Sequence, residues 1–249
     1  MIRLIALLLL VALPAKAEEI VLGLSRDEVA ITATFEGSDI LVFGAVRREA
    51  PIATDSKLGV IVTIAGPEQP VMVRRKDRRL GIWVNTEGVE VDAAPTFYAV
   101  ASSGPMKEVL RDIEDLRYGI TIPRIIRSVG AVVDDSAAFT QALIRIRAGE
   151  QLYQVLEGGV TLDQDTLFRT AITLPANLTE GDYVAHIFLT RDGTVIDDYI
   201  TTIPVQKVGL ERWLYNLAHE NALLYGLMSL AIAIFAGWGA SAAFSLLRP

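Results

Sequence analysis

The chain has 249 residues, 51% of them apolar, no cysteine, and a formal charge of −7 from 23 Lys and Arg against 30 Asp and Glu. The lack of thiols excludes disulfides, thiolate metal sites and cysteine nucleophiles, so stability has to come from packing. The acidic balance argues against a nucleic-acid partner and serves mainly solubility.

In chain order, Arg3 gives a short basic start and Leu4 to Leu13 is an apolar stretch too short to span a bilayer. Pro14-Ala15-Lys16-Ala17 then offers a small-x-small cleavage site before Glu18. Residues 1–17 therefore read as a secretory signal peptide, with an uncleaved N-terminal anchor as the alternative. Cleavage would remove Arg3 and Lys16 and leave the exported part still more acidic. From Glu18 to Gly209 about 190 residues remain, enough for one large or two small domains.

Residues 18–103 carry strand grammar. Val29, Ile31, Ala33 and Phe35 alternate with Glu28, Thr32 and Thr34, and short apolar runs follow at Ile40–Phe43, Val60–Ile64 and Ile82–Val84. Gly37-Ser38-Asp39, Gly66-Pro67, Asn85-Thr86-Glu87-Gly88 and Ala94-Pro95 punctuate them at the spacing of a small sandwich. About seven strands between Ile20 and Ala101 suit an immunoglobulin-like β sandwich.

Residues 104–150 read as a helical pair. Val109, Leu110, Ile113 and Leu116 recur at three and four residues from Met106 onward, which predicts one amphipathic helix. Asp134-Asp135-Ser136 offers caps for a second, with Phe139, Ala142, Leu143 and Ile146 as its apolar stripe.

Strand grammar returns over residues 151–208, read as a second, smaller β sandwich. Phe168, Thr170, Ile172 and Leu174 alternate with Arg169, Ala171 and Thr173, and Asp192-Gly193 between two apolar runs predicts a tight hairpin. Residues 209–220, with Leu210, Trp213, Leu214 and Leu217 on one side, read as a short interfacial helix.

Residues 221–247 read as a transmembrane helix, because Ala222 to Leu247 carries no charged side chain and a bilayer core about 30 Å thick needs roughly 20 apolar residues. Residues 248–249 form the tail. An export signal followed by one stop-transfer helix places the bulk in the periplasm and the C-terminus, with Arg248, in the cytoplasm. The predicted location is the inner membrane, spanned once.

The whole mature chain resembles the alphaproteobacterial transmembrane protein family of unassigned function. The resemblance is carried by Gly23-Leu24-Ser25 through Thr32, Leu41-Val42-Phe43-Gly44-Ala45, Leu174-Pro175-Ala176-Asn177 and Gly181-Asp182-Tyr183. It continues in Lys207-Val208-Gly209-Leu210-Glu211-Arg212, Leu224-Tyr225-Gly226-Leu227 and Gly237-Trp238. It implies an inner-membrane protein with a large periplasmic part and points to a sulfite-exporter-like permease as the neighbour. It supplies no catalytic residues.

Two constellations stand out. Ser229, Ala233, Gly237, Ser241 and Ser245 recur every four residues in the span, and small-xxx-small rows let helix backbones approach closely in lipid; a lone anchor is the plainer reading. Arg74, Arg75, Lys76, Arg78 and Arg79 surround Asp77 in the densest charge run. Between strand-like flanks this run would project from a hairpin tip toward anionic headgroups, an oxyanion or an acidic partner, or be a solvated turn.

Other patterns carry less. Asp134-Asp135, Asp197-Asp198, and Asp163 with Asp165 form no calcium loop and suit helix caps and exposed strand faces. His186 and His219 are isolated and lack zinc-ligand spacing. No nucleophile elbow, Walker loop or dinucleotide fingerprint occurs, and no cofactor is expected.

The fold class expected is mainly β: two immunoglobulin-like β sandwiches, an intervening helical pair and one C-terminal transmembrane helix. The expected function is that of a non-catalytic accessory or scaffold subunit docking on an integral membrane protein through the helix, with self-association open. The alternatives are a periplasmic module binding or sensing an anionic ligand, and an envelope hydrolase.

Overall fold

The computed structural model describes residues 18–25, 28–31, 37–48, 56–126, 136–207 and 210–246. The expected signal peptide, Ala33, Phe35, Asp134, Asp135 and Arg248 lie outside them. Twelve strands are described: β1 (Glu18–Leu24), β2 (Val29–Ile31), β3 (Ser38–Arg48), β4 (Leu58–Ala65), β5 (Glu68–Arg79), β6 (Ile82–Pro95), β7 (Tyr98–Ser102), β8 (Tyr153–Glu157), β9 (Thr161–Asp163), β10 (Leu167–Leu174), β11 (Gly181–Arg191) and β12 (Thr194–Lys207). The described helices are α1 (Met106–Val109), α2 (Asp112–Tyr118), α3 (Ile122–Ile125), α4 (Ser136–Gly149), α5 (Leu210–Glu220) and α6 (Ala222–Leu246). Chain contacts divide the molecule into two units, Met1–Val29 with Glu36–Val205, and Ala30–Phe35 with Gln206–Pro249.

The mainly β expectation holds, and the separation into two sandwiches does not. A four-stranded sheet runs β1-β3-β10-β9 and a six-stranded sheet runs β2-β12-β11-β4-β7-β8. In the first, β3 from the earlier β segment pairs antiparallel with β10 from the later one, Val42 opposite Thr170. In the second, β4 pairs with β11 in the same way, Val62 opposite Ile187. Strands from residues 18–103 and from 151–208 thus share both sheets, and the joining pairs β3–β10 and β4–β11 lie within one compact unit.

Side-chain pattern explains each strand's place. β10 alternates strictly, with Phe168, Thr170, Ile172 and Leu174 inward and Leu167, Arg169, Ala171 and Thr173 outward, as a strand with one solvated face must. β4 is apolar almost without interruption and buried along seven of its eight residues, which suits a central strand covered on both faces. The core consists of residues such as Ile40, Val42, Phe168 and Ile172 from the smaller sheet and Val60, Val62, Ile64, Ile187 and Leu189 from the larger.

The helical segment is the crossover between β7 and β8, which run parallel, Val100 beside Val155. Parallel neighbours need a crossover of a dozen or more residues, commonly helical. The single helix expected from Met106 to Leu116 breaks, because Leu110 is extended at φ −143° and the Arg111 N–H donates to the Gly193 carbonyl at 2.9 Å. Val109 and Leu110 are buried, whereas Ile113 and Leu116 are 61% and 62% exposed. Packing against the β11–β12 turn outweighs continuation of a short helix that is marginal in isolation. Gly119 then ends α2 in the left-handed conformation, and Asp115 accepts from the N–H groups of Ile120 and Thr121 and from the Thr121 hydroxyl.

The Asp192-Gly193 hairpin forms as its sequence predicts, with φ of +50° and +78°. A second two-residue turn, Leu80-Gly81, closes the long two-stranded ribbon β5–β6. In the C-terminal unit, α5 covers nearly all of the expected interfacial segment. It is separated from α6 by Asn221 alone, whose N–H still donates to the Leu217 carbonyl.

Candidate functional site

The first candidate is α6. Its residues Ala222–Ser241 form the one helix among those described that is long and apolar enough to cross a membrane, with no part of that stretch buried against the chain itself. At 1.5 Å per residue, 20 residues match a hydrocarbon core of about 30 Å. Ser229, Ala233, Gly237 and Ser241 follow one another at four-residue steps along it, and Ser245 continues the row by position. A Cβ added at Gly237 would meet nothing within 4 Å. Large apolar residues such as Leu230, Ile234, Phe235 and Trp238 are exposed, as lipid-facing residues are.

The second candidate is the β5–β6 ribbon. Arg74, Arg75, Lys76, Arg78 and Arg79 are all exposed and all lie within β5; the turn itself is Leu80-Gly81, so the basic run occupies the outer arm of the ribbon and not its tip. Arg75 pairs with Glu87 at 3.0 Å across the ribbon, and its guanidinium lies 4.9 Å from the ring centre of Phe139 on α4. Arg79 is 3.8 Å from Asp77. Arg74, Lys76 and Arg78 have no ion-pair partner among the described residues. A cleft of about 470 Å³ opens between β5 and α4, with Arg74, Arg75, Lys76 and Arg145 among its walls and Val73 and Phe139 supplying apolar surface. Sequence periodicity placed Phe139 on the buried face of α4, but only tertiary packing brings it under Arg75.

The other described acidic and histidine residues singled out in the sequence make contacts within the β body or stay exposed. Asp197 is buried, contrary to the exposed strand face expected for it, and its carboxylate accepts the Ile20 N–H at 3.0 Å. Asp198 lies 2.8 Å from His186 Nε2 across the β11–β12 hairpin, and the His186 ring packs 3.8 Å from that of Phe188. Asp163 and Asp165 are exposed, as expected. The Glu18 carboxylate takes hydrogen bonds from Arg191 and Arg48. Burial raises its pKa, but those bonds and the two positive charges outweigh it and hold the carboxyl below its usual range. Burial lifts the phenols of Tyr98, Tyr153 and Tyr183, Tyr153 to about 12. Among the described residues no group of three His, Cys, Asp or Glu is placed to hold a metal ion.

A β-rich body joined in one chain to a helix of membrane-crossing length, the one such helix among the described residues, defines a membrane protein of the β class. Its residues 19–245 match the family model described as "Putative transmembrane protein (Alph_Pro_TM)". The match extends over nearly the whole chain, and the protein belongs to that family. No curated protein matches it.

Proposed function

We propose that the protein is a non-catalytic accessory or scaffold subunit, anchored in the inner membrane with its β body in the periplasm and its C-terminus in the cytoplasm. The observation that carries this reading is α6: a row of small side chains along a membrane-length helix, with open space at Gly237 that none of the described residues fills. In lipid, helices associate by close packing of such surfaces, because burial against another apolar helix gains nothing over burial in acyl chains. The proposed partner is an integral membrane protein, and the family resemblance favours a sulfite-exporter-like transporter. The test is photocrosslinking from Gly237 in native membranes. One dominant membrane-protein adduct, lost when the neighbouring Ala233 is replaced by Leu, supports the reading; lipid adducts alone reject it.

The cleft between β5 and α4 favours a second reading, a periplasmic module for an anionic ligand. Four cations around an apolar floor suit an anion with a hydrophobic part. Saturable, salt-sensitive binding of such an amphiphile, abolished by Arg145→Glu, is the expected result.

A further inference from the structure

The outer end of the β5–β6 ribbon carries three large apolar side chains that are mostly exposed. Leu80 is fully exposed, Ile82 is 64% exposed and Trp83 is 68% exposed. Leu80 stands at the turn, and Ile82 and Trp83 open β6 beside it on opposite faces of the ribbon, so apolar side chains surround the tip.

Folding does not explain the apolar tip. The turn has φ of +51° at Leu80 and +86° at Gly81. A two-residue hairpin loop with both φ positive favours Asn, Asp or Gly at its first position, and a left-handed φ is unfavourable for leucine. Leucine is thus held in a disfavoured conformation with its whole side chain in solvent. The ladder continues to the turn, Arg79 opposite Ile82 and Arg78 opposite Trp83, so the tip is a built element of the sheet.

Cations flank the tip and continue behind Leu80, Arg79 level with Ile82 and Arg78 level with Trp83. Arg79 and Arg78 are one and two residues back from Leu80, and Lys76 is four back; at about 3.4 Å per strand residue they sit roughly 3 to 14 Å behind the tip. A leucine at the turn with Trp83 and two arginines at the next levels of the ladder matches a bilayer interface, where Trp favours the boundary and arginine meets phosphate. A protein partner with a matching apolar pocket would suit the tip but would not call for three cations beside it. The span in the same chain also keeps a lipid surface at high local concentration.

We propose that the ribbon tip Leu80–Trp83 inserts into the interface of an anionic lipid bilayer, with Arg78, Arg79 and Lys76 contacting lipid phosphates, and so forms a second point of membrane attachment. The proposal depends on neither the helix-docking nor the cleft reading of function: it shares only Lys76 with the cleft, and its test reads Leu80, Arg78 and Arg79, which lie outside the cleft.

The chain has no cysteine, so Leu80→Cys in the full-length protein accepts a single environment-sensitive NBD fluorophore at a fully exposed site. Gly149→Cys is the control, a position where a Cβ meets nothing within 4 Å. Both are reconstituted in nanodiscs of phosphatidylethanolamine and phosphatidylglycerol containing nitroxide-labelled lipid. The expected result is blue-shifted emission at position 80 and lipid quenching several-fold above the control. It should fall toward the control with Arg78→Glu and Arg79→Glu together, and in discs of phosphatidylcholine alone. Equal quenching at the two positions overturns the proposal. A blue shift without lipid quenching also overturns it, because protein then covers the tip. Quenching indifferent to lipid charge overturns the assignment of the arginines.

Discussion

One nitrogen of the Arg191 guanidinium donates to both carboxylate oxygens of Glu18, at 2.6 and 2.7 Å, across 173 residues of sequence. Glu18 opens β1 in the smaller sheet and Arg191 closes β11 in the larger, so this pair ties the two sheets together. Arg48 Nε, on β3, completes the cluster at 2.7 Å from Glu18. The Glu18 and Arg48 side chains are each only 9% exposed, where breaking an ion pair strands its partners.

Glu18→Gln should cost about 1 to 3 kcal/mol, below the range for fully buried pairs because Arg191 keeps some solvent contact. The sign with pH follows from the lowered carboxyl. The native state holds Glu18 ionised more firmly than the unfolded chain does, so its contribution is full above the ordinary glutamate pKa and is lost as pH falls through the lowered one. Denaturation midpoints from neutral to acid pH should show a shallower acid decline in Glu18→Gln than in wild type. Parallel declines would reject the assignment.

A fragment of residues 18–103 should not fold. Its β4 would lack β11 and its β3 would lack β10, exposing two strand edges and half the core. Rapid proteolysis and collapsed amide dispersion are expected; a dispersed, protease-resistant fragment would restore the two-sandwich arrangement.

Gly193→Ala and Gly81→Ala separate conformational strain from steric crowding. Both positions have positive φ, but a Cβ at Gly193 would lie 2.9 Å from Arg111 Cγ and 3.2 Å from its backbone N, whereas one at Gly81 meets nothing within 4 Å. Each should lose about 1 kcal/mol from backbone strain, and Gly193→Ala roughly 1 to 2 kcal/mol more because the Arg111–Gly193 contact must shift. Thermal melts of the two variants check the order.

Stability should fall steeply in alkali. Tyr98, Tyr153 and Tyr183 all titrate above the ordinary tyrosine range because burial penalises the phenolate. Their contribution is full below about pH 10 and is lost as pH rises above it, since the unfolded chain releases those protons first. Tyr153→Phe should flatten this limb, at the cost of the hydrogen bond to the Pro95 carbonyl, worth about 1 kcal/mol. Melts between neutral pH and pH 11 decide; an unchanged alkaline slope would refute the account.

Local pattern carried much of this structure. The strict alternation in β10, the Asp192-Gly193 turn, the helix α5 and the long apolar helix α6 were each legible, because every one is determined by neighbours within a few residues. The predicted helix after Met106 failed at Leu110, where the competing contact is with Gly193, more than 80 residues away. Asp197 was read as exposed for the same reason: the backbone N–H it receives belongs to Ile20 at the other end of the β body. Of the basic run, the sequence located the charges; only the ladder showed that they are strand residues behind an apolar tip.

By itself, the sequence determined that this chain carries a C-terminal segment long and apolar enough to cross a membrane and is otherwise built mainly of strands, since apolar length and side-chain period are local quantities. Only the tertiary structure decided that the early and late strands share two sheets. An alternating strand records which of its faces is buried but not which distant strand lies beside it, and that choice is made by the non-local closure of the core around β3–β10 and β4–β11.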